Sequence, residues 1–202
     1  TALDLVALTA ASLNVTAGGA VTDSGTLAIA GATTISASGQ DITLDEAAST
    51  FGTLALTGAN VAVTDAGATD LGASTVSGTL GITSAGAVTD SGTLAITGTT
   101  TISASGQDIT LDEAASTFGT LALTGANVAV TDAGATDLGA STASGTLGIT
   151  SAGAVTDSGT LAITGATTIS ASGQDITLDE AASTFGTLAL TGANVAVTDA
   201  GA

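Results

Sequence analysis

"GTLALTGANVAVTDAG" is the sequence of residues 52–67, and the same sixteen letters stand again at 119–134 and at 186–201. Within this stretch, aliphatic residues alternate with threonine and alanine, while glycine, asparagine and aspartate stand between the alternating runs. Alternation with a period of two is typical of β-strands, and small polar residues between such runs are typical of turns. The stretch therefore predicts short β-strands joined by turns, copied three times along the chain.

The copying extends over most of the chain, and Phe51, Phe118 and Phe185 mark successive copies at equal intervals. Residues 21–87 differ from residues 88–154 at only three positions, each an exchange of small residues. Self-similarity at a fixed period indicates a repeat architecture. We therefore expect one continuous solenoid fragment over residues 1–202, cut from a longer protein. Its parts are a divergent partial repeat (1–20), repeat 1 (21–87), repeat 2 (88–154) and a partial repeat 3 (155–202).

The alternating runs are brief, and no stretch has a convincing helical period of 3.6 residues. Short strands repeated in tandem predict an all-β fold, a parallel β-solenoid that is right-handed and three-sided. One division of the repeat places its coils at residues 78–98, 99–118 and 119–144. On that division each repeat contains three coils and the chain about nine. The three phenylalanines are expected to fill the interior at one coil in three.

All charged side chains are negative: the chain has 18 acidic residues and no lysine, arginine or histidine. Without basic side chains the chain cannot neutralise phosphates, so nucleic acid and anionic membrane surfaces are excluded as partners. No apolar run reaches the length of about 18 residues that a membrane-spanning helix needs, so membrane insertion is not expected. There is no cysteine for a disulfide, and no histidine, cysteine, lysine or tyrosine to act as a base or nucleophile. We therefore expect no enzymatic activity and no organic cofactor.

Calcium is the one cofactor that the sequence suggests. Asp65 and Asp70 stand in "TDAGATDLG" with glycine between them, and Asp132 and Asp137 repeat the pair. Carboxylates on a turn can hold a hard cation when backbone carbonyls and water complete the shell. The alternative is that these aspartates accept hydrogen bonds from nearby backbone groups at a solvated corner. Both interpretations predict a turn, and only the first predicts a metal site.

The pattern "GTLAITG…TTISASG…DITLD…GTLALTGANVAVTDAG" resembles the repeats of filamentous-haemagglutinin-type adhesins, and is similar to the β-helical repeats of autotransporter passenger domains. The resemblance covers the chain from about Leu13 to Ala202. It implies a parallel β-helix in a very large secreted or surface-displayed bacterial protein, with the helix acting as a stalk. The absence of lysine and arginine departs from ordinary members of that group.

The function expected from these observations is structural: a stalk, spacer or filament segment of an extracellular adhesin-like protein. The expected partners are adjacent repeats of the same protein, together with end-to-end or lateral association with other copies through exposed sheet edges. Two alternatives remain open at this point. One is a calcium-binding region that becomes rigid outside the cell, and the other is an ice- or crystal-binding surface built from outward threonines.

Overall fold

The computed structural model describes residues 1–201, which form one parallel β-sheet of 25 strands wound into a solenoid. The predicted all-β parallel β-solenoid is confirmed. Nothing between residues 1 and 201 is helical, so these residues include no helix that could span a membrane. The strands are β1 Leu3–Leu5, β2 Leu8–Ala10, β3 Leu13–Thr16, β4 Val21–Asp23, β5 Leu27–Ser36, β6 Ile42–Leu44, β7 Thr50–Gly58, β8 Val61–Asp65, β9 Thr69–Leu71, β10 Ser74–Val76, β11 Leu80–Ser84, β12 Val88–Asp90, β13 Leu94–Ile96, β14 Thr99–Ser103, β15 Ile109–Leu111, β16 Thr120–Gly125, β17 Val128–Asp132, β18 Thr136–Leu138, β19 Ser141–Ala143, β20 Leu147–Ser151, β21 Val155–Asp157, β22 Leu161–Ser170, β23 Ile176–Leu178, β24 Thr184–Thr191 and β25 Val195–Val197.

The period-two alternation decides which side chains point inward. In β16, Leu121 and Leu123 are buried, while Thr120, Ala122 and Thr124 between them are half-buried on the outer face. The same division holds in the other interior strands, because successive side chains of a strand point to opposite faces. Phe51 and Phe118 enter the core as predicted, being 6 % and 7 % exposed, while Phe185 in the last coil is half-buried against it. The interior is thus a narrow column of mainly aliphatic side chains, with a few buried polar residues among them.

Away from the first and last coils, the strands pair in parallel with the coil before and the coil after, and the pairing defines three sides. The first side begins at β1, the second at β2 and the third at β3. Ten coils follow one another along the first side, one more than the nine predicted. Their first-side positions are Leu3, Val21, Ile42, Val61, Leu80, Thr100, Leu121, Ser141, Leu161 and Thr184.

Each repeat has one third of a coil more than the three coils predicted. One repeat, counted from β8 to the residue before β17, contains nine named strands and a bridging segment at Thr117, ten segments in all. Ten segments on a three-sided solenoid are three and one third coils. The predicted third coil, residues 119–144, contains the four strands β16 to β19, which is one strand more than a coil holds.

The extra third of a coil turns each repeat onto the next side of the solenoid. Val61 lies on the first side, its copy Val128 on the second and its copy Val195 on the third. The molecule is therefore a three-fold screw. With coils about 4.8 Å apart, each repeat advances about 16 Å along the axis and rotates by one third of a turn. Right-handedness stays a prediction.

Residues 1–20, predicted as a divergent partial repeat, occupy the same structural positions as the later copies. Strand β1 takes the place of β9 one repeat later. Ser24 Oγ donates to Asp4 Oδ2 at 2.7 Å, as Ser91 Oγ donates to Asp70 Oδ2 at 2.8 Å. Residues 1–20 thus keep this hydrogen bond although most of their residues differ from those of the later copies.

One buried hydroxyl recurs in the core of every repeat. Thr100 lies between Leu80 and Leu121 in the stack of inward side chains, and none of its surface is exposed. Its Oγ1 has no hydrogen-bond partner in the described part of the chain, and the same holds for its copies Thr33 and Thr167. A buried hydroxyl without a partner costs stability, because it has lost its hydrogen bonds to water.

Replacing Thr100 with valine is expected to stabilise the solenoid by about 1–2 kcal/mol, because valine keeps the shape and removes the unpaired hydroxyl. Thermal unfolding should show Tm higher by a few degrees. Thr101→Val, at the neighbouring exposed position, is the matched control and should leave Tm nearly unchanged. A lower Tm for Thr100→Val would show that the hydroxyl is satisfied in solution.

Candidate functional site

The aspartates predicted to bind calcium lie in two different environments. Asp65 ends β8 with its side chain in the interior, 1 % exposed. Its Oδ1 accepts the backbone N–H of Gly67 at 2.8 Å, and its Oδ2 accepts the hydroxyl of Thr69 at 3.2 Å. The carboxylate thus closes the turn between β8 and β9 from inside. Asp132 is buried to the same extent and accepts the corresponding donors in the next repeat.

Asp70 occupies the middle of β9 and points outward between two buried neighbours. Its Oδ2 accepts the hydroxyl of Thr53 at 2.8 Å from the coil before and the hydroxyl of Ser91 at 2.8 Å from the coil after. Asp137 makes the corresponding two bonds one repeat later. These outward carboxylates therefore connect three successive coils through hydroxyl groups.

The structure does not bring the two aspartates of a predicted pair together. The turn that follows β8 places Asp65 inside the wall and Asp70 outside it, and hydroxyl or backbone donors from the chain itself contact both carboxylates. Across residues 1–201 no group of three or more acidic side chains is placed to hold a metal ion. Calcium binding stays a prediction for Asp65, Asp70, Asp132 and Asp137. The hydrogen bonds observed agree with the alternative interpretation, in which these aspartates accept hydrogen bonds from the chain itself.

A second kind of buried carboxylate was not singled out from the sequence. Asp90 ends β12 and is 8 % exposed. Its Oδ1 accepts the backbone N–H of Asp112 at 2.8 Å, and its Oδ2 accepts that of Glu113 at 3.4 Å, both from the next coil. Asp157 holds the following coil in the same way, and Asp23 makes the first of the two bonds, with Asp45 N–H at 2.8 Å, while its Oδ2 has no partner among the described residues. The signal in the sequence is the fixed interval between "VTDSG" and "LDEA" in each copy.

Burial raises the pKa of four of these inward carboxyl groups above the ordinary value for aspartate. For Asp65 and Asp132, loss of hydration is the largest cause, and the glycine N–H and threonine hydroxyl partly offset it. Loss of hydration also dominates for Asp23 and Asp90, where nearby acidic side chains raise the pKa further. The solenoid therefore favours the protonated form of these groups relative to the unfolded chain.

A third set of inter-coil hydrogen bonds lies at a corner of the solenoid and forms a ladder, meaning a series of bonds that leads from coil to coil. Asn60 donates its Nδ2 to Asp41 Oδ1 at 2.9 Å, and its own Oδ1 accepts the backbone N–H of Thr79 at 3.1 Å. Residues Asp108, Asn127 and Thr146 repeat the arrangement. Like the contacts of Asp70, these bonds join three successive coils and are made within the chain.

These contacts can stabilise coil stacking. The surface formed by residues 1–201 has no pocket. The best-formed polar arrangement is thus the set of inter-coil hydrogen bonds on Asp41, Asp70 and Asp90 with their copies, together with the turns that Asp65 and Asp132 close. The chemistry it supplies is hydrogen bonding between and within coils.

Comparison with known proteins gives one match. A family model described as repeats of unknown function (DUF5649) matches three consecutive segments, residues 1–57, 58–124 and 125–192. The middle segment is as long as the repeat found in the sequence, and the first includes the divergent residues 1–20. No curated protein and no solved structure matches the chain.

Proposed function

The chain belongs to the DUF5649 family of repeats, and we propose that it is a rigid spacer of a large secreted or surface-displayed bacterial protein of the adhesin type. The observation that carries the proposal is the three-fold screw. Each added repeat lengthens the solenoid by about 16 Å and presents the same residues on the next side. Length is therefore the property that near-identical copies multiply.

Two features support the function of a spacer rather than that of a protein that binds a ligand through one flat face. Thr34, Thr101 and Thr168 are exposed copies of one outward position, and the strand pairing places them on the third, first and second sides. A flat rank of identical threonines on one side, as an ice-binding surface requires, is not what this arrangement favours. The inter-coil ladders also stiffen the stack, because each one joins consecutive coils.

A spin-label experiment tests the rod on the chain itself, which has no native cysteine. Cysteines replacing Thr34 and Thr101, or Thr34 and Thr168, are labelled in pairs, and pulsed electron paramagnetic resonance measures the label–label distance. We expect narrow distance distributions. The axial component of the label–label distance should be about 16 Å for the first pair and about 32 Å for the second. The lateral component should be the same for both pairs.

The control pair is Thr89 with Thr168, which lie on the same side four coils apart. Its distance should be the axial rise alone, about 19 Å. Broad distributions that widen with separation would show a flexible chain and would remove the basis for a spacer. Inserting one more copy of residues 88–154 should lengthen the rod by about 16 Å again.

Self-association belongs to the same proposal. The last coil exposes Leu188, Val195 and Val197, which are 38 %, 47 % and 37 % exposed, whereas their earlier copies are buried by a following coil. Unpaired strand edges with apolar side chains favour pairing with another strand. Adjacent repeats, or a second copy stacked end to end, would cover these side chains and pair with this edge.

A further inference from the structure

The rod carries a dense line of negative charge. Ten coils at about 4.8 Å make it about 48 Å long, so the 18 acidic residues are spaced about 2.7 Å apart along the axis. Five of the carboxylates are buried, namely Asp23, Asp65, Asp90, Asp132 and Asp157. The other thirteen alone give one charge about every 3.7 Å of rod. No basic side chain of the chain neutralises any of them.

This spacing is short enough to change how ions behave around the rod. Two unit charges in water interact as strongly as the thermal energy at about 7 Å. Charges on a rod that lie closer than this hold a layer of counterions, as duplex DNA does with one charge per about 1.7 Å. The charge spacing of the solenoid is shorter than this threshold whether or not the buried carboxylates are counted.

The screw spreads this charge around all three sides. Asp45, Asp112 and Asp179 are exposed copies of one position, and each repeat turns its copy by one side. Asp41, Asp108 and Asp175 follow the same path at another corner. A ligand that recognises the charge therefore meets an equivalent surface from any direction.

We propose that the rod binds lysine- and arginine-rich polypeptide segments along its length by counterion release. An extended polypeptide places successive residues about 3.3 Å apart, so a segment rich in lysine and arginine has a linear charge density close to that of the rod taken over all three sides, about one charge per 3.7 Å. Such a segment displaces the bound counterions at many positions without a fixed register. This partner is not required by the spacer function and would add a second role to the same rod.

The test uses a fluorescent decalysine peptide and fluorescence anisotropy with the full chain at neutral pH. The affinity should fall linearly with salt on logarithmic axes, by about a hundredfold or more between 50 and 200 mM NaCl. A decaglutamine peptide of the same length should not bind. Absence of decalysine binding at about 50 mM NaCl, or binding that salt does not weaken, would overturn the proposal.

Two matched variants separate a line charge from a local site. One carries Asp45→Asn and Asp112→Asn, and the other carries Asp108→Asn and Asp175→Asn, so each loses two exposed charges at different corners. A line charge predicts that both variants lose a few-fold in affinity and by similar factors. Loss confined to one variant would show a discrete site and contradict the proposal. Unchanged circular dichroism of both variants confirms that they are folded, and the Asn oxygen at 108 and 175 can still accept the amide bond of the corner ladder.

Discussion

Gly119→Ala is expected to lower the free energy of unfolding by about 3 kcal/mol, the upper end for forcing extra volume into a packed site. Gly119 lies between Phe118 and Thr120, where the chain passes against the coil below. A Cβ at this position would overlap the backbone carbonyl oxygens of Thr97 and Gly98. The N–H groups of Thr97 and Gly98 are bonded to carbonyls of the preceding coil, so these residues cannot move alone and the two coils must separate. In a solenoid this weakens the interface on which both halves of the rod depend.

Denaturant unfolding followed by β-sheet circular dichroism measures the effect, and a second, earlier transition should appear if the halves uncouple. Gly148→Ala is the matched control. Its Cβ would meet only the Val128 carbonyl oxygen at 3.8 Å, an ordinary contact. This change should stabilise the protein by about 0.4–1 kcal/mol, because alanine restricts the unfolded chain. Equal effects of the two substitutions would show that the coils are not in contact at Gly119.

The strand faces could be predicted from the sequence because a period of two is a local property. Alternation alone predicts that Leu121, Leu123, Val128 and Val130 face the interior, and all four are buried. No tertiary information is needed for this step, since the alternation specifies the buried face wherever a strand forms.

The number of coils could not be predicted in the same way, because some inward residues are not aliphatic. Strand β19 points Ser141 and Ala143 inward. The buried Ser141 hydroxyl donates to the Gly139 carbonyl at 2.9 Å and accepts the Leu123 N–H at 3.0 Å. A strand that fills the core with small side chains has no leucine–isoleucine alternation, so the pattern alone predicts one long coil over residues 119–144.

The environments of the paired aspartates could not be predicted for a related reason. Spacing along the chain brings Asp65 and Asp70 near each other in sequence but does not tell which face each side chain takes. The intervening turn, which Thr69 closes on Asp65, and the Ser91 hydroxyl, which the next coil brings to Asp70, decide that. The buried Asp90, with its partners 22 and 23 residues later, depends on the coil length itself.

Acidification is expected to stabilise this protein, opposite to the usual acid denaturation. Burial raises the pKa of Asp23, Asp65, Asp90 and Asp132, so the folded chain takes up protons at a pH where the unfolded chain has not. The free energy of unfolding therefore rises as the pH falls from 7 through the raised pKa values of the folded chain towards the ordinary range for aspartate, about 4, and levels off once the unfolded chain is protonated as well. No side chain becomes cationic in this range, so repulsion between positive charges does not develop.

Asp132→Asn shows how much of this behaviour comes from one group. The amide keeps an oxygen to accept the Gly134 N–H and removes the charge that burial disfavours. At pH 7 the variant should have a higher Tm than the parent chain, and its Tm should rise less between pH 7 and 4. Asp108→Asn, an exposed control, should leave the pH-dependent rise as in the parent. A parent Tm that falls as the pH is lowered to 4 would mean that these carboxylates are hydrated in solution and that the walls of the solenoid open around them.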